Sequence, residues 1–277
     1  AVRYLLTPCN PVRCVAQLGH LVWRRNQFCR GWLITGDTGS GKTSSGINQL
    51  AHQGFQHEPK WGRLCIDEKG VYWETLSEMA SNYGRTHDLV QLQIRTDETD
   101  ANWKPPHRFN LTGDRDIPYS TYAKFVVDTA TSLGQGGDKG FFKSQAQTHI
   151  AYALELLAEL QQPVTLAGVY ALLSNQMLLK EELQNLNDLF DAPRRWVLHD
   201  HFTNRFLNQP AEQLGGVRET IGNYLQYFLT PEVAEVFCTQ ESTFSFSAID
   251  EGKIILVTMP QKFQTERRYV NTFLKLL

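Results

Sequence analysis

The sequence predicts an α/β fold in which a parallel sheet with helices on its faces is interrupted by an all-α insertion. Strand-like apolar runs alternate with helical segments over residues 31–94. From residue 119 to 207 apolar side chains instead recur at spacings of three and four, and a strongly apolar run returns at 253–259. Strand and helix alternation favours parallel β-α-β units, whereas spacing by three and four is typical of helices.

The composition indicates a globular protein. The chain has 277 residues, of which 42% are hydrophobic, and this is enough apolar material for a large core. Its net charge of −2 gives no global reason to expect a polyanionic partner. Five cysteines without metal-ligand spacing favour reduced thiols in a cytoplasmic compartment. No apolar run is long enough to cross a membrane. Because Ala1 is not a start methionine and a helical pattern breaks off at Leu277, we expect a fragment.

The most specific stretch lies at residues 31–46. Gly36, Gly41, Lys42 and Thr43 match the phosphate-binding pattern G-x-x-x-x-G-K-[ST]. The apolar run before it predicts a short buried strand at 32–34, and the residues after it predict a helix at 43–53. The residues expected to contact a nucleotide are Gly36, Asp37, Thr38, Gly39, Ser40, Gly41, Lys42, Thr43 and Ser44.

A strand that passes through such a turn into a helix directs several backbone N–H groups at one point, with the positive end of the helix dipole behind them. Lys42 is then expected to reach the β and γ phosphates, and the Thr43 hydroxyl to ligate Mg²⁺. The pattern therefore predicts ATP and magnesium as ligands, with Lys42 and Thr43 in the catalytic roles. The alternative is a chance glycine-rich turn.

The remaining elements of the first part alternate between strand and helix patterns, and a polar, proline-containing loop follows them. The predicted elements are strands at 3–6, 21–23, 62–66 and 89–94, a helix at 71–83 and a loop at 95–106.

The later part of the chain is predominantly helical before the sheet resumes. We therefore predict a first part of the nucleotide-binding domain at 1–117, an all-α insertion at 118–210 and a second part at 211–277. The predicted elements are helices at 119–133, 141–160, 166–173, 178–190, 194–207 and 212–229, strands at 244–246 and 253–259, and a helix from 263.

Hydrolysis also requires an acid at the end of a strand beside the phosphate loop. Asp67 and Glu68 follow the strand at 62–66, with Lys69 next to them, whereas the strand at 253–259 ends without an acid. Asp67 and Glu68 fit three roles: solvated acids of a strand-end turn, contacts of the nucleotide site together with Lys69, or the main magnesium acid. The pattern leaves these three open.

Several motifs, taken in order, resemble the type IV coupling proteins, which are conjugative DNA-transfer ATPases related to the FtsK and HerA translocases. Glu68 stands where that family usually has proline, and within residues 1–277 we expect no counterpart of the family's membrane-spanning N-terminal part. The matching motifs are Gly36-Asp-Thr-Gly-Ser-Gly-Lys-Thr43, Ile66-Asp-Glu-Lys-Gly70, Phe109-Asn-Leu111, Gly140-Phe-Phe-Lys-Ser-Gln-Ala146, Thr165-Leu166 and Gly252-Lys-Ile-Ile-Leu-Val-Thr-Met-Pro260.

The resemblance implies a RecA-like domain interrupted by an all-α domain. It implies a homo-oligomeric ring in which ATP hydrolysis between subunits drives DNA, nucleoprotein or protein effectors into a secretion channel, in the cytoplasm or at the cytoplasmic face of the inner membrane. It places the magnesium acid of the Walker B strand and the catalytic glutamate beyond Leu277, so that the second part of the domain is expected to be truncated. A partner subunit would supply an arginine, for which Arg218, Arg267 and Arg268 are candidates.

Two other classes fit the same phosphate loop. A nucleotide-dependent switch without motor activity, or a small-molecule kinase, would use Asp67 as its acid. The long α-helical segment suits a large assembly better than a kinase, which also needs a lid over its substrate. Turnover stimulated by DNA would distinguish the motor, and a phosphorylated small molecule the kinase.

Overall fold

The computed structural model describes residues 14–67, 69–96, 100, 102–135, 140–187 and 193–277. It divides into two compact units. The first contains the described residues up to Cys65 together with Val71–Val90 and Phe246–Leu256, and the second contains Ile66–Gly70, Gln91–Ser245 and Val257–Leu277.

The first unit begins with an antiparallel hairpin of β1 (Ala16–Leu18) and β2 (Leu21–Trp23), followed by a single helical turn, α1 (Arg25–Phe28). Further along, a π-helical turn (Lys42–Ile47) continues into α2 (Asn48–His57). The hairpin is fixed to α2 by one buried amide: Gln53 accepts from Gln17 N and donates to Gln17 O at 3.1 Å. The predicted strand at 21–23 and the helix after the phosphate loop are therefore confirmed.

Strand β3 (Arg63–Cys65) and helix α3 (Tyr72–Asn82) complete this unit's framework. Arg63 places its guanidinium 3.9 Å from the centre of the Phe55 ring. Burial lowers the pKa of Arg63 to about 10, and the nearby Arg85 adds to the effect. The core between helices and strands consists of Phe55, Cys65, Leu76, Met79, Ala80, Ile254 and Leu256.

A three-stranded sheet has the order β3–β5–β4, with β4 at Leu89–Gln93 and β5 at Ile254–Thr258. Strands β3 and β5 are parallel, and Cys65 is paired with Leu256. All five residues of β5 are buried, as expected for a strand in the middle of a sheet with both faces covered. The predicted return of the sheet late in the chain is confirmed.

Between Tyr119 and Phe237, every regular element in the described part of the chain is helical. Helices α4, α5, α6 and α9 pack against one another through small and branched apolar side chains. The helices predicted there are confirmed, and α10 was not predicted. The helices in this range are, in order, α4 (Tyr119–Ser132), α5 (Gly140–Glu159), α6 (Leu166–Ser174), α7 (Gln176–Asn187), α8 (Pro193–Asp200) with a π-helical turn (His201–Phe206), α9 (Ala211–Leu225) and α10 (Pro231–Phe237). The last helix of the chain, α11 (Gln264–Leu276), follows β5.

The strand predicted at 32–34 is wrong. Residues 31–37 form no strand, and Leu33 is 90% exposed. Trp32 instead packs on Trp23 and Phe28, with ring centres 4.8 and 5.4 Å apart, and its indole N–H donates to Phe28 O. A run of three apolar residues does not determine a strand partner, and here Trp32 packs on aromatic rings while Trp32 and Leu33 both stay exposed.

The strand predicted at 244–246 is also wrong. Phe244 stacks on Phe109 with ring centres 5.3 Å apart, and a 3₁₀ turn (Phe246–Ile249) follows it. The alternating pattern reflects aromatic packing of one residue and the start of a turn.

The prediction that all cysteines are reduced is wrong for Cys14, which forms a disulfide. Cys29 and Cys238 are free thiols. Within the described residues, no helix has both the length and the hydrophobicity needed to cross a membrane. Some predictions lie outside the described residues: the strand at 3–6, the Glu68 position, residues 97–99 and 101 of the loop at 95–106, and residues 188–190 of the helix at 178–190.

Candidate nucleotide-binding site

The phosphate-binding motif forms an exposed loop between residue 36 and the helical segment that starts at Lys42. Its glycines Gly36, Gly39 and Gly41 have φ angles of +152°, +83° and +83°, a region that side chains with a Cβ rarely adopt. A Cβ at Gly36 would lie 2.6 Å from Ser40 Oγ. The glycine spacing is therefore required by the path of the loop, independently of any ligand.

Lys42 holds the two ends of this loop together. Its ammonium nitrogen donates to the carbonyl oxygens of Gly36 and Asp37, both at 2.7 Å. A lysine ammonium has three donors, so one remains for an incoming phosphate oxygen. The side chain thus lies inside the loop, where the motif predicts that the β and γ phosphates bind.

The helical segment behind the loop supplies backbone donors. Gly41, in the left-handed region, is its N-cap, and the N–H of Ser45 bonds to Gly41 O at 2.8 Å. The first N–H groups of a helix have no intrahelical acceptor and carry the positive end of its dipole. Thr43, the expected magnesium ligand, has an exposed side chain, and Ser44 Oγ donates to Gly41 O at 3.3 Å. That these groups bind an anion stays a prediction.

Gly46, in the helical segment, allows this segment to approach the residues that precede the loop. A Cβ at Gly46 would lie 3.1 Å from two carbon atoms of Ile34. Contacts this short are tighter than most real Cβ contacts, so the close approach favours glycine there. Ile34 is therefore the one residue of the predicted strand that supports the phosphate loop through packing.

The acidic turn after β3 belongs to the second unit. Asp67 is partly buried; its carboxylate accepts from Lys69 N at 3.2 Å and its carbonyl from Gly70 N at 3.2 Å. Lys69 is exposed. Asp67 therefore stabilises its own turn, as expected of an aspartate in a tight turn. Its proposed nucleotide and magnesium roles, and those of Glu68 and Lys69, stay predictions.

The turn packs on the segment after β5 through Gly70. Gly70 has a φ of +67°, and a Cβ there would lie 2.8 Å from Arg267 Nη1 and closer still to Met259 O. Arg267 is 2% exposed and donates to Met259 O at 2.9 Å. Residue spacing in the sequence does not mark this contact, but the glycine after the acidic turn is a signal of close packing there.

The three arginines considered for a role at a neighbouring subunit differ in how far their side chains are buried. Arg267 is enclosed by its own chain. Arg218 is partly buried, donates from Nε to Leu173 O at 3.0 Å and lies over the Phe206 ring. Burial also lowers the pKa of Arg218. Arg268 is the exposed member of the three.

The comparisons with known proteins agree with a mixed α/β architecture of this kind. No family model matches the sequence, and no curated protein does. A solved structure of the bacterial conjugative coupling protein TrwBdeltaN70, in its unbound monoclinic form, is similar with a TM-score of 0.55 and 16% identity. The match covers 91% of this chain and 51% of that one, so this chain spans about half its length. At this identity the likeness concerns the fold: parallel strands combined with many helices.

Proposed function

We propose that this chain is the nucleotide-binding part of a P-loop motor ATPase of the coupling-protein kind. The observation that carries the proposal is the glycine-rich loop at 36–41 with the Lys42 ammonium inside it, at the start of a helical segment. Backbone N–H groups, one lysine and a neighbouring hydroxyl are what a phosphate loop uses to bind MgATP. Lys42 would neutralise charge on the phosphates and Thr43 would hold Mg²⁺ when they are bound.

The fold likeness supports the finer assignment. We propose a RecA-like domain formed by residues 1–117 and 211–277 and interrupted by an all-α domain at 118–210. In this arrangement the phosphate loop binds ATP, and the all-α domain contacts the transported substrate or its adaptor. In the described part of the chain every regular element from Tyr119 to Phe206 is helical, which supports the all-α part of this division.

The partners follow from the same proposal. The chain would assemble into a ring and use ATP hydrolysis to move DNA, nucleoprotein or effector proteins towards a secretion channel, in the cytoplasm or at the cytoplasmic face of the inner membrane. In such rings a neighbouring subunit contributes an arginine to the transition state. Arg268 fits that role best among the three candidates, because it is exposed.

The first test is nucleotide binding by Lys42→Ala, measured with a fluorescent ATP analogue and Mg²⁺. We expect at least a tenfold loss of affinity with an unchanged melting temperature, since the loop is exposed and contributes little to packing. Lys60→Ala removes another exposed lysine of the same unit and should bind normally. Equal binding by the Lys42→Ala protein would refute the phosphate-loop assignment.

The second test distinguishes the motor from its rivals. ATP turnover should rise on addition of single- or double-stranded DNA and fall to background in Lys42→Ala. Transfer of phosphate to a small molecule instead would identify a kinase, and binding without stimulated turnover would identify a switch.

A further inference from the structure

The tip of the β1–β2 hairpin in the first unit exposes aliphatic side chains. Leu18 and Leu21 are paired directly across the hairpin and are 51% and 49% exposed. Gly19 and His20 form the turn between them, and among the described residues nothing beyond the chain neighbours would lie within 4 Å of a Cβ at Gly19. Directly paired side chains share one face of a hairpin, so the tip presents two half-exposed leucines on the same side.

The exposed apolar surface continues from the tip to the residues after α1. Trp23 lies on the same face as the two leucines, because side chains two positions apart on a strand share a face. Its ring centre is 4.8 Å from that of Trp32, which is exposed and is followed by Leu33, which is 90% exposed. Apolar residues on an ordinary surface are scattered singly, so a concentration of them marks an interaction surface. The exposed large hydrophobic residues between positions 18 and 33 are Leu18, Leu21, Val22, Trp32 and Leu33.

Polar and ring contacts hold this surface in a fixed position. The Gln53 amide donates to Gln17 O at 3.1 Å and accepts from Gln17 N, so the hairpin is fixed to α2. The indole N–H of Trp32 donates to Phe28 O at 2.9 Å, and Phe28 packs on Trp61 with ring centres 5.8 Å apart. A surface that is already ordered loses little conformational entropy when it binds a partner.

Arginines lie next to these apolar residues in the chain. Arg24, Arg25 and Arg30 are all exposed, and no aspartate or glutamate occurs from Cys14 to Gly36. Within the part of the chain that the structure describes, none of the three forms a salt bridge. Arg25 instead lies over the Trp61 ring, 5.3 Å from its centre. The surface is therefore complementary to a partner that combines negative charge with apolar material.

We propose that the hairpin patch, formed by Leu18, Leu21, Trp32 and Leu33 with Arg24 and Arg30, docks on the surface of a bilayer that contains anionic lipids. The aliphatic side chains and the indole enter the boundary between headgroups and acyl chains, where apolar area leaves water and tryptophan is enriched. The arginines bind headgroup phosphates, and each adds to the attraction by the negatively charged surface. The patch does not include the phosphate loop, so the inference goes beyond the proposed ATPase activity and does not depend on it.

Nucleic acid and a second copy of the chain fit the hairpin patch less well than a bilayer does. Nucleic-acid phosphates would pair with the arginines, but bases bind by stacking on aromatic rings, and the most exposed apolar side chain of the patch is Leu33. A two-fold contact between copies presents the same surface on both sides, so it would bring the arginines of both copies together. Anionic lipids satisfy the leucines and the arginines at once.

The experiment measures co-sedimentation of the full chain with lipid vesicles, without ATP or magnesium. Binding to vesicles of equal parts phosphatidylcholine and phosphatidylglycerol should be about tenfold or more tighter than to phosphatidylcholine alone, because each arginine near an anionic surface adds to the attraction. The difference should shrink at high salt, which screens these charges. The leucine double variant (Leu21→Ser with Leu33→Ser) and the arginine double variant (Arg24→Gln with Arg30→Gln) should each bind anionic vesicles about tenfold more weakly.

Matched controls come from the second unit. Met177→Ser changes a side chain that is 82% exposed, and Arg115→Gln removes an exposed arginine; both should bind vesicles like the parent chain. Leu33→Ser alone should melt like the parent chain, because Leu33 is almost fully exposed, and should still lose about threefold in vesicle binding. Lys42→Ala should bind vesicles normally, so failure of the phosphate-loop assignment and failure of this inference are distinguishable.

Quenching of tryptophan fluorescence by lipids with brominated acyl chains tests whether the hairpin patch enters the bilayer. The parent chain should be quenched on anionic vesicles, and Trp32→Phe should be quenched less, because Trp32 is the exposed indole of the patch. Equal quenching of the two proteins would contradict the proposed depth of the patch.

Two further outcomes would overturn the proposal. One is the absence of binding to anionic vesicles. In that case, loss of binding to a labelled oligonucleotide by the leucine and arginine double variants would identify nucleic acid as the partner, and loss of self-association in light scattering a second copy. The other is vesicle binding that the patch and control variants weaken alike, since this would reflect unspecific surface contact.

Discussion

The ammonium nitrogen of Lys42 lies 2.7 Å from the carbonyl oxygen of Gly36, the first residue of the loop that Lys42 ends. The same nitrogen lies 2.7 Å from Asp37 O. Two carbonyl groups at this distance hold a small, strongly hydrated cation in a defined position. The loop therefore positions its lysine without a ligand, so the proposed phosphate binding would require little rearrangement of this side chain.

This geometry predicts that a positive charge at position 42 is not by itself sufficient for MgATP binding. Lys42→Arg should lose about tenfold or more of MgATP affinity, because a planar guanidinium cannot replace a compact ammonium between the two carbonyl groups. Isothermal titration calorimetry with MgATP measures this. Lys60→Arg, at an exposed site of the same unit, should bind like the parent chain. Full affinity in Lys42→Arg would mean that the two carbonyl contacts have no role in binding.

Gly70→Ala should destabilise the protein by about 2–4 kcal/mol. Its positive φ costs an L-residue roughly 1–2 kcal/mol, and the added Cβ would collide with Arg267 Nη1 and Met259 O. Gly84→Ala is the matched control, because Gly84 has a φ of +69° and nothing within 4 Å of its Cβ position. Chemical denaturation followed by circular dichroism gives both values. Equal losses would show that the contact with Arg267 adds nothing to the backbone strain.

Local patterns in the sequence were sufficient for most of the fold. Three-and-four spacing defined the helices from Tyr119 onwards, since that spacing is produced by the single buried face of each helix. The four consecutive aliphatic residues of β5, Ile254 to Val257, predicted a well-buried strand, and it is the central strand of the sheet. Short apolar runs were less informative. Trp32 and Phe244 pack on aromatic rings, and a strand partner for them cannot be inferred from three residues.

The candidate sites also differ in how far they can be predicted from local sequence. The glycine-rich loop before the helical segment at Lys42 could be predicted because its motif is continuous in the sequence, and its binding of phosphate stays a prediction. The contact between Arg267 and Met259, and the pair formed by His149 and His201, depend on residues brought together by folding, 52 positions apart in the second case. No local period marks such pairs.

Asn110→Asp should destabilise the second unit by roughly 2–4 kcal/mol, although it barely changes the side chain's shape. Asn110 is 4% exposed, donates from Nδ2 to Val164 O at 2.9 Å and accepts from Thr112 N at 3.1 Å. An aspartate would place a carboxylate oxygen against the Val164 carbonyl and bury its charge. Thermal melting at pH 7.5 measures the loss. Asn223→Asp, at an exposed position of α9, should melt close to the parent chain; equal effects would refute the proposed role of the Val164 contact.

The buried pair of His149 and His201 predicts that the second unit becomes less stable in acid. Burial lowers the pKa values of His149 and His201 to about 3 and 4. The neighbouring His201 also lowers the pKa of His149, while Arg205 lowers the pKa of His201 and Asp200 raises it. In the unfolded chain both titrate near 6.5. Between about pH 6.5 and 4 the unfolded state therefore binds more protons, so the free energy of unfolding falls as the pH is lowered.

Each pKa unit of difference corresponds to about 1.4 kcal/mol, so the pair should account for a loss of a few kcal/mol between pH 7 and 4. The measurement is the melting temperature across this range for the parent chain and for a His149→Gln, His201→Phe double variant. The variant should be less stable at pH 7 and should show a shallower decline with acid. His20→Gln, at an exposed position of the hairpin turn, should keep the parent's dependence. A double variant with the same acid slope as the parent would show that the loss arises from other groups.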